Sequence, residues 1–265
     1  MFDRVVVISL TTERWGRFQS RLPPDWPFAE PVCFKAINGL SVPMRRNWRK
    51  PAKDWGCLLS HLAIMDAAIA GGIGSVLILE DDAVFCDGFA AKAAAFMAAV
   101  PDDWEQVYLG GQHLQTTRHR LLVVNDQVIT CGNVNRTHAH AMRLEYVKTA
   151  RDFIAGHDYN LEIDYQFGKL HPGHRVYAPW QWLVGQGDGD EVQWWNVPLR
   201  VYREGEKRPL ILNIGRSYER STGRTARSKF AATDSGKRRS QAGSRSHAGV
   251  AKSKRQAVRS DDERE

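Results

Sequence analysis

Apolar residues recur along this chain in two rhythms, which predict alternating strands and helices. Apolar runs such as Val76–Leu79 and Val5–Leu10, the second interrupted only by Ser9, are typical of strands covered on both faces of a parallel sheet. Between them, Trp55–Ala70 carries apolar residues at helical spacing. The same patterns predict further strands at Val32–Ala36, Glu105–Leu109, Thr137–Met142 and Arg175–Pro179, and helices at Phe89–Val100 and Leu144–Ala155. This order predicts an α/β fold with a mostly parallel central sheet.

The strand Val76–Leu79 ends in three consecutive carboxylates, Glu80, Asp81 and Asp82. In an open α/β sheet, ligands bind in the crevice beyond the carboxyl ends of the strands. Three like charges at that edge repel one another, so a divalent cation such as Mn²⁺ or Mg²⁺ would compensate them. Such a cation is commonly held by one or two carboxylates together with substrate phosphates. The alternative is a solvated acidic turn that follows a buried strand.

Distinct motifs lie before and within this strand. A Gly-Cys-x-Leu-Ser-His element lies at Gly56–His61, a helix follows, and Leu-Ile-Leu-Glu-Asp-Asp ends at Asp82. This order of motifs resembles glycosyltransferase family 25. The resemblance spans roughly Val5 to Gln186 and is most specific between Gly56 and Asp82. It implies a GT-A-like, Rossmann-type sandwich, a nucleotide-sugar donor, inversion at the anomeric carbon, and a divalent metal at the Glu-Asp-Asp motif.

Several residues then become candidates for binding the donor. Arg14 and Arg17 follow the first strand, where guanidinium groups would match diphosphate oxygens, although both can equally be solvated helix arginines. Gly110 lies in a predicted glycine turn that would allow a ligand to approach the backbone. The resemblance alone adds Ser60 and His61, and an isolated helical histidine is more often structural. The full donor-side set is Arg14, Arg17, Asn38, Gly39, Ser60, His61, Glu80, Asp81, Gly110 and Gln186.

Candidates for the acceptor side lie later in the chain. The resemblance places a carboxylate near residues 160–167, and we take Asp164 as the first and Glu162 as the second candidate for the general base. An acid that interacts with a helix dipole is the alternative. Tryptophans between residues 180 and 195 would stack on sugar rings or pack in the core.

Metal ligands are predicted from the same two regions. Asp82 is the strongest candidate, and Glu80 shares the motif. Metal-bound GT-A sites often recruit a histidine from the C-terminal part, so His171 and His174 are further candidates. As isolated residues, both histidines are also compatible with a structural role.

The basic character of the chain is confined to its C-terminal part. The net charge is +7 overall, yet residues 216–265 contain 14 Lys/Arg and 6 Asp/Glu, a net of +8, which leaves residues 1–215 at −1. Almost no large apolar residue follows Phe230. We therefore predict a catalytic domain over residues 1–215 and a disordered basic tail over residues 216–265.

Cysteine spacing and hydropathy suggest a reduced, cytoplasmic environment. Cys33, Cys57, Cys86 and Cys131 form no Cys-x-x-Cys or zinc-type pattern, and Met1 leads almost directly into a strand without a signal peptide. The longest uncharged stretch, residues 67–79, is too short to span a bilayer.

The sequence thus predicts a metal-dependent glycosyltransferase that moves a sugar from a nucleoside diphosphate to a hydroxyl acceptor on a glycan, a lipid-linked glycan or a protein. Two alternatives stay open. One is a nucleic-acid-associated protein, which modifies DNA bases or binds polyanions through its basic tail. The other is an inactive, transferase-like binding module.

Overall fold

The computed structural model describes residues 2–114, 120–158, 160–187, 191–195 and 199–212. Within them, strands and helices alternate over the first half of the chain. The helices are α1 (Thr12–Arg21), α2 (Ala52–Ala70), α3 (Phe89–Ala99), α4 (Leu144–Gly156) and α5 (Ile163–Leu170). The strands are β1 (Arg4–Ser9), β2 (Pro31–Lys35), β3 (Ser75–Glu80), β4 (Ala83–Phe85), β5 (Gln106–His113), β6 (Leu121–Leu122), β7 (Val128–Thr130), β8 (Val134–Arg143), β9 (Val176–Pro179), β10 (Val184–Gly187), β11 (Val192–Gln193), β12 (Leu199–Tyr202) and β13 (Leu210–Leu212).

Seven of these strands form a central sheet in the order β2-β1-β3-β8-β5-β9-β7. The pairs β1–β2, β1–β3 and β5–β9 are parallel, whereas β8 runs antiparallel to both β3 and β5, and β7 runs antiparallel to β9. Five of the seven strands therefore point in one direction. The predicted α/β class with a mostly parallel central sheet is confirmed.

The strands β1 and β3 are apolar from Val5 to Ile8 and from Val76 to Leu79 because both faces of the sheet are covered there. Val5 and Val7 of β1 pack against the helices α1 and α3, while Val6 and Ile8 pack against α2, α4 and α5. The side chains of β3 alternate in the same way between these two clusters. A strand that buries both of its faces has no polar side, which is why the sequence shows an unbroken apolar run.

Most element boundaries shift by one residue from the sequence prediction, and three shift further: the end of β5 and the starts of α2 and β8, the last at Val134 instead of Thr137. The strand β5 does not stop at Leu109 but runs through Gly110 and Gly111 to His113. Pairing with β8 on one side compensates for the low strand propensity of the two glycines. The helix α2 begins at Ala52 after Pro51, three residues before the predicted start at Trp55.

Two glycines bring α2 close to the turn after β2. A Cβ added to Gly56 would lie 2.3 Å from the carbonyl oxygen of Ile37 and 2.6 Å from the nitrogen of Gly39. A Cβ on Gly39 would lie 1.7 Å from the carbonyl oxygen of Ala52. Both contacts involve backbone atoms, which cannot rotate away, so only glycine permits this approach.

We expect Gly56→Ala to destabilise the chain by about 1–3 kcal/mol, because α2 must move away from the Ile37–Gly39 turn. The measurement is the free energy of unfolding in denaturant. Gly16→Ala in α1 is the matched control, since nothing lies within 4 Å of its added Cβ and alanine favours a helix. Equal stability of the two variants would show that the close contact does not constrain α2.

Two small sheets accompany the central one. The first, β11-β10-β4, joins the residues after the acidic motif to the later part of the chain, and the second is β13-β12-β6. Among the described residues, no helix combines the length and the apolar character that crossing a membrane requires. The predicted tail, residues 216–265, lies outside the described residues, so the boundary at residue 215 stays a prediction.

Candidate functional site

A cleft of about 760 Å³ opens where the carboxyl ends of β1 and β3 meet the start of β8. The end of β3 brings Glu80, Asp81 and Asp82 into its wall. One side of the cleft is formed by Arg14 and the turn after β2, and the other side by the start of β8 and the start of α5. The acidic motif therefore lies between two walls that come from different parts of the chain.

Asp81 is held by two neighbours from β1 and α1. The guanidinium of Arg14 donates from Nε to Oδ2 at 2.8 Å, a second bond joins Nη2 to Oδ1, and the Ser9 hydroxyl donates to Oδ2 at 2.8 Å. Burial pushes the pKa of Asp81 upward, but the hydrogen bonds from Arg14 and Ser9 outweigh it and lower the pKa. Asp81 is thus a charged carboxylate whose bonds fix the acidic turn to α1.

Within the described ranges, Glu80 and Asp82 have no ion pair comparable to that of Asp81. Glu80 accepts one hydrogen bond from the Thr137 hydroxyl at 2.8 Å, and Asp82 accepts one from Gln186 Nε2 at 3.1 Å. The other oxygen of Asp82, Oδ1, is buried without a hydrogen-bond partner among the described residues. Burial and the charge of Asp82 raise the pKa of Glu80 to about 8, and burial also raises the pKa of Asp82.

The residues of this motif fit a divalent cation. Asp82 Oδ1 is a buried carboxylate oxygen without a partner in the described part of the chain, and burial together with the neighbouring carboxylates raises the pKa of Glu80 and Asp82, which a bound cation would offset. No three acidic, histidine or cysteine side chains among the described residues form a complete metal cage. Manganese and magnesium do not need one, because one or two carboxylates and the phosphates of a substrate commonly hold them.

A second arginine, Arg21, supports the turn from outside the cleft. Its guanidinium donates to the carbonyl oxygens of Asp81 at 2.9 Å and Gly187 at 3.2 Å. It therefore joins the acidic turn to the strand that carries Gln186. Sequence reasoning missed this residue, although Arg14, Arg17 and Arg21 recur at helical spacing and this period could have indicated it.

The opposite wall is shaped by a bulge at the start of β8. Asn135 pairs with Gln112 and Ala139 with Gly110, so three residues of β8 stand opposite one residue of β5. Within this bulge, Thr137 bonds to Glu80, and the Arg136 backbone N–H donates to Asp164 Oδ2 at 3.2 Å. The bulge thus connects the acidic motif to the start of α5.

Asp164 lines the cleft in the first turn of α5. Its Oδ1 accepts a hydrogen bond from the backbone N–H of Tyr165 at 2.8 Å. Burial raises its pKa, even though the bonds from Arg136 and Tyr165 act in the opposite direction. Glu162 also lines the cleft and forms an ion pair with Lys50, with 3.1 Å between Nζ and Oε1.

Of the other predicted donor residues, some lie at the cleft and some do not. Asn38 and Gly39 line it, with the Asn38 side chain capping the turn, and the buried Ser60 hydroxyl donates to the Gly56 carbonyl. His61 is fully buried behind the wall and bonds through Nδ1 to the carbonyl of Cys57. Arg17 is exposed on α1 and does not line the cleft.

Three other candidates lie apart from the acidic motif. Gly110 is inside β5, where an added Cβ would lie 2.3 Å from the Val184 carbonyl oxygen, so its missing side chain makes room for the protein itself. His171 is buried and contacts the hydroxyl of Tyr108 through Nε2 at 3.2 Å. His174 pairs with Glu105 at the opposite end of β5. The structure does not bring either histidine to Asp82.

Part of this chain is similar in sequence to a known family of proteins. Residues 51–161 match the model of glycosyltransferase family 25, described as an LPS biosynthesis protein. The human inactive glycosyltransferase 25 family member 3 is 27% identical over 164 residues, and the probable inactive member 3 of Bos taurus is 24% identical over 164 residues. Each match covers 54% of this chain and 27% of the relative, so the chain spans about a quarter of the length of these relatives.

Two solved structures are similar at the level of the backbone. A197 from STIV gives a TM-score of 0.38 at 13% identity and covers 78% of this chain and 100% of that one. A glycosyltransferase involved in the glycosylation of the major capsid of PBCV-1 gives 0.39 at 12% identity, covering 66% and 80%. Sequence comparison, in contrast, confirms the resemblance seen in the Gly56–Asp82 motifs, because residues 51–161 match the model of glycosyltransferase family 25.

Proposed function

We propose that this chain is a metal-dependent glycosyltransferase that moves a sugar from a nucleoside diphosphate to a hydroxyl acceptor. The observation that carries the proposal is Asp82 Oδ1, a buried carboxylate oxygen that has no partner among the described residues and lies in the cleft between the two walls. A solvated acidic turn would not bury such an oxygen, because leaving it without a partner costs free energy.

The charge of the cleft supports a cation. Its described lining contains six carboxylates and three basic side chains, and one of those bases, Arg14, is already bonded to Asp81. A diphosphate entering this cleft would meet net repulsion unless positive charge accompanied it. A bound Mn²⁺ or Mg²⁺ would neutralise the diphosphate and stabilise it as a leaving group.

Each residue would then have a separate task. Asp82 and Glu80 would hold the cation, and Gln186 would fix the orientation of Asp82 through its hydrogen bond. The turn at Asn38 and Gly39 would contact the donor. Asp164, on the other wall, would accept the proton of the acceptor hydroxyl as the new glycosidic bond forms. Direct attack of that hydroxyl on the sugar would invert the anomeric carbon.

Asp82→Asn tests this proposal. It keeps the shape of the side chain but removes a charged ligand, so we expect manganese and donor affinity to fall together, by about tenfold or more. Excess manganese should restore part of the activity by mass action. The assay follows manganese-dependent release of nucleoside diphosphate from a panel of nucleotide sugars, together with the thermal shift caused by manganese.

Asp87→Asn is the matched control, because it makes the same chemical change on an exposed residue of the next turn. It should leave both readouts unchanged. If Asp82→Asn binds manganese as tightly as the unmodified chain, Asp82 is not a ligand and the proposed metal site is wrong.

A second candidate is a binding module without transferase activity. The names of the human and bovine relatives, which are described as inactive or probably inactive, favour it. Such a module would bind manganese and nucleotide but release no diphosphate with any donor of the panel. The same assay therefore separates the two functions.

A further inference from the structure

Arg136, which lines the cleft, contacts Trp195, and both residues have a positive φ. Among the described residues, Arg136 has a φ of 77° and Trp195 a φ of 47°, and these two are the non-glycine residues in that region. The guanidinium carbon of Arg136 lies 4.3 Å from the centre of the Trp195 ring. Side chains disfavour this backbone region, and residues held there concentrate at active and ligand-binding sites.

Each of the two side chains also carries a buried N–H group that has no hydrogen-bond acceptor among the described residues. Arg136 Nε and Trp195 Nε1 are buried, and neither has an acceptor among the described residues. No described carboxylate lies close enough to the Arg136 guanidinium to form an ion pair, whereas the guanidinium of Arg14 is bonded to Asp81. Buried donors normally have partners, so two neighbouring donors that find none in the described part of the chain are suited to bind an acceptor from a ligand.

The chemistry of the two groups restricts what that acceptor is. The guanidinium of arginine and the indole N–H of tryptophan donate hydrogen bonds and accept none. A carboxylate or phosphate offers several lone pairs and a negative charge that complements the guanidinium, and a neutral hydroxyl lacks this charge. The planar guanidinium also matches such groups with two parallel bonds.

The position of Arg136 assigns the anion to the acceptor and not to the donor. Arg136 lines the cleft on the wall of Asp164, and its own backbone N–H bonds to that carboxylate. The Asn38–Gly39 turn, which would contact the donor, forms the opposite wall. A negative group held by Arg136 would therefore lie on the same molecule as the hydroxyl that Asp164 faces.

We propose that Arg136 and Trp195 form a subsite for an oxyanion of the acceptor, so that the acceptor is an acidic or phosphorylated sugar. The assignment of the anion to the acceptor rests on the proposed function. The affinity of the subsite for anions, however, can be measured without a donor. The subsite also explains why the positively charged Arg136 lies on the same wall as Asp164 and Glu162. Without this positive charge, the two carboxylates would repel an anionic acceptor.

The test compares pairs of small sugars by calorimetry in the full chain. Methyl α-galactopyranoside is paired with the corresponding methyl galacturonoside, and glucose with glucose 6-phosphate. We expect the anionic member of at least one pair to bind about tenfold tighter or more, the factor that a charge-assisted hydrogen bond provides. Arg136→Gln should abolish the preference, and Arg136→Lys should retain part of it.

Two further variants keep the result interpretable if Arg136→Gln folds poorly. Trp195→Phe removes the indole donor while keeping an aromatic ring over the guanidinium, and it should weaken only the anionic sugars. Arg151→Gln, on the exposed face of α4 beside Asp66, removes the same charge elsewhere and should change nothing. Equal or undetectable affinity for both members of each pair overturns the subsite, as does a preference that survives both Arg136→Gln and Trp195→Phe.

The affinity for pyrophosphate in the presence of manganese tests whether the anion belongs to the donor. If Arg136→Gln weakens pyrophosphate and leaves the anionic sugars unaffected, the anion belongs to the donor and the assignment to the acceptor is wrong. Release of nucleoside diphosphate is measured on the same preparations. Hydrolysis without a preference for anionic sugars contradicts the subsite alone, whereas a preference without hydrolysis supports the subsite and contradicts the transferase.

Discussion

Asp164→Asn should lower the rate of sugar transfer by roughly 10²–10⁴-fold, the usual contribution of a general base. Manganese and donor affinity should stay close to those of the unmodified chain, because Asp164 lies on the wall opposite Arg14 and the Asn38–Gly39 turn. An amide cannot take up the proton of the acceptor hydroxyl. The loss would therefore appear in the catalytic step and not in binding.

The surroundings of Asp164 suit it to this task. Backbone N–H groups of Arg136 and Tyr165 each bond to one of its oxygens, which fixes the carboxylate while each oxygen keeps a free lone pair. Burial raises its pKa, so it is a stronger base than an exposed aspartate. Both properties come from the bulge in β8 and the start of α5, and neither is visible in the residues around position 164.

Single-turnover transfer and manganese-dependent donor binding, measured for Asp164→Asn and Glu162→Gln, would test the assignment. Glu162→Gln is the matched comparison because Glu162 lines the same wall and is neutralised by Lys50. We expect it to retain most of the activity. Transfer at an unchanged rate in Asp164→Asn would show that the base is another residue, and Glu162 would be the next to test.

The apolar pattern was sufficient to predict the part of the fold that carries the acidic motif. Val5–Ile8 and Val76–Leu79 are buried on both faces, so these runs are apolar throughout and their position in a parallel sheet follows from local information, whereas Leu10, at the predicted end of the first strand, is 46% exposed. The close contact of Gly39 with Gly56 joins residues far apart in the chain. Only the motif pattern, and not the local sequence, pointed to these two glycines.

The other wall of the cleft could not be predicted in this way. The bulge at Arg136 exists because β8 pairs irregularly with β5, and such a register depends on the whole sheet. Gly110 was predicted to lie in a turn because glycine is common there. In the structure it lies inside β5, where the Val184 backbone and the His138 ring leave no room for a side chain. His171 and His174 resembled metal ligands, but their partners, Tyr108 and Glu105, come from a distant strand.

Several histidines are buried inside the fold, which composition alone did not indicate. His61, His113, His138 and His140 are almost fully buried within the fold. His61 and His140 stack with 5.6 Å between ring centres, and His113 stacks on Trp182 at 4.5 Å. Burial lowers the pKa of His61 and His138 to about 4 and that of His113 to about 3. These rings are therefore neutral in the folded chain at neutral pH.

Their pKa values fix the direction of the pH dependence. An unfolded histidine titrates near 6.5, so between pH 6.5 and about 4 the unfolded chain binds more protons than the folded one. The contribution of these rings to stability is complete above pH 6.5 and is lost as the pH falls towards their folded pKa. Glu80 acts in the opposite direction, because its raised pKa of about 8 favours the folded chain as the pH falls from 8 to 4.5.

His113→Phe isolates the histidine effect, because Glu80 is unchanged in both proteins. The phenyl ring keeps the stacking on Trp182 and removes Nδ1, which is buried without a partner among the described residues. Between pH 7 and 4.5, we expect the free energy of unfolding of this variant to fall by about 2–3 kcal/mol less than that of the unmodified chain. Denaturant unfolding at each pH measures this difference, and the exposed His157→Gln serves as the control. Parallel stability curves for His113→Phe and the unmodified chain would show that His113 is protonated equally in the folded and unfolded states.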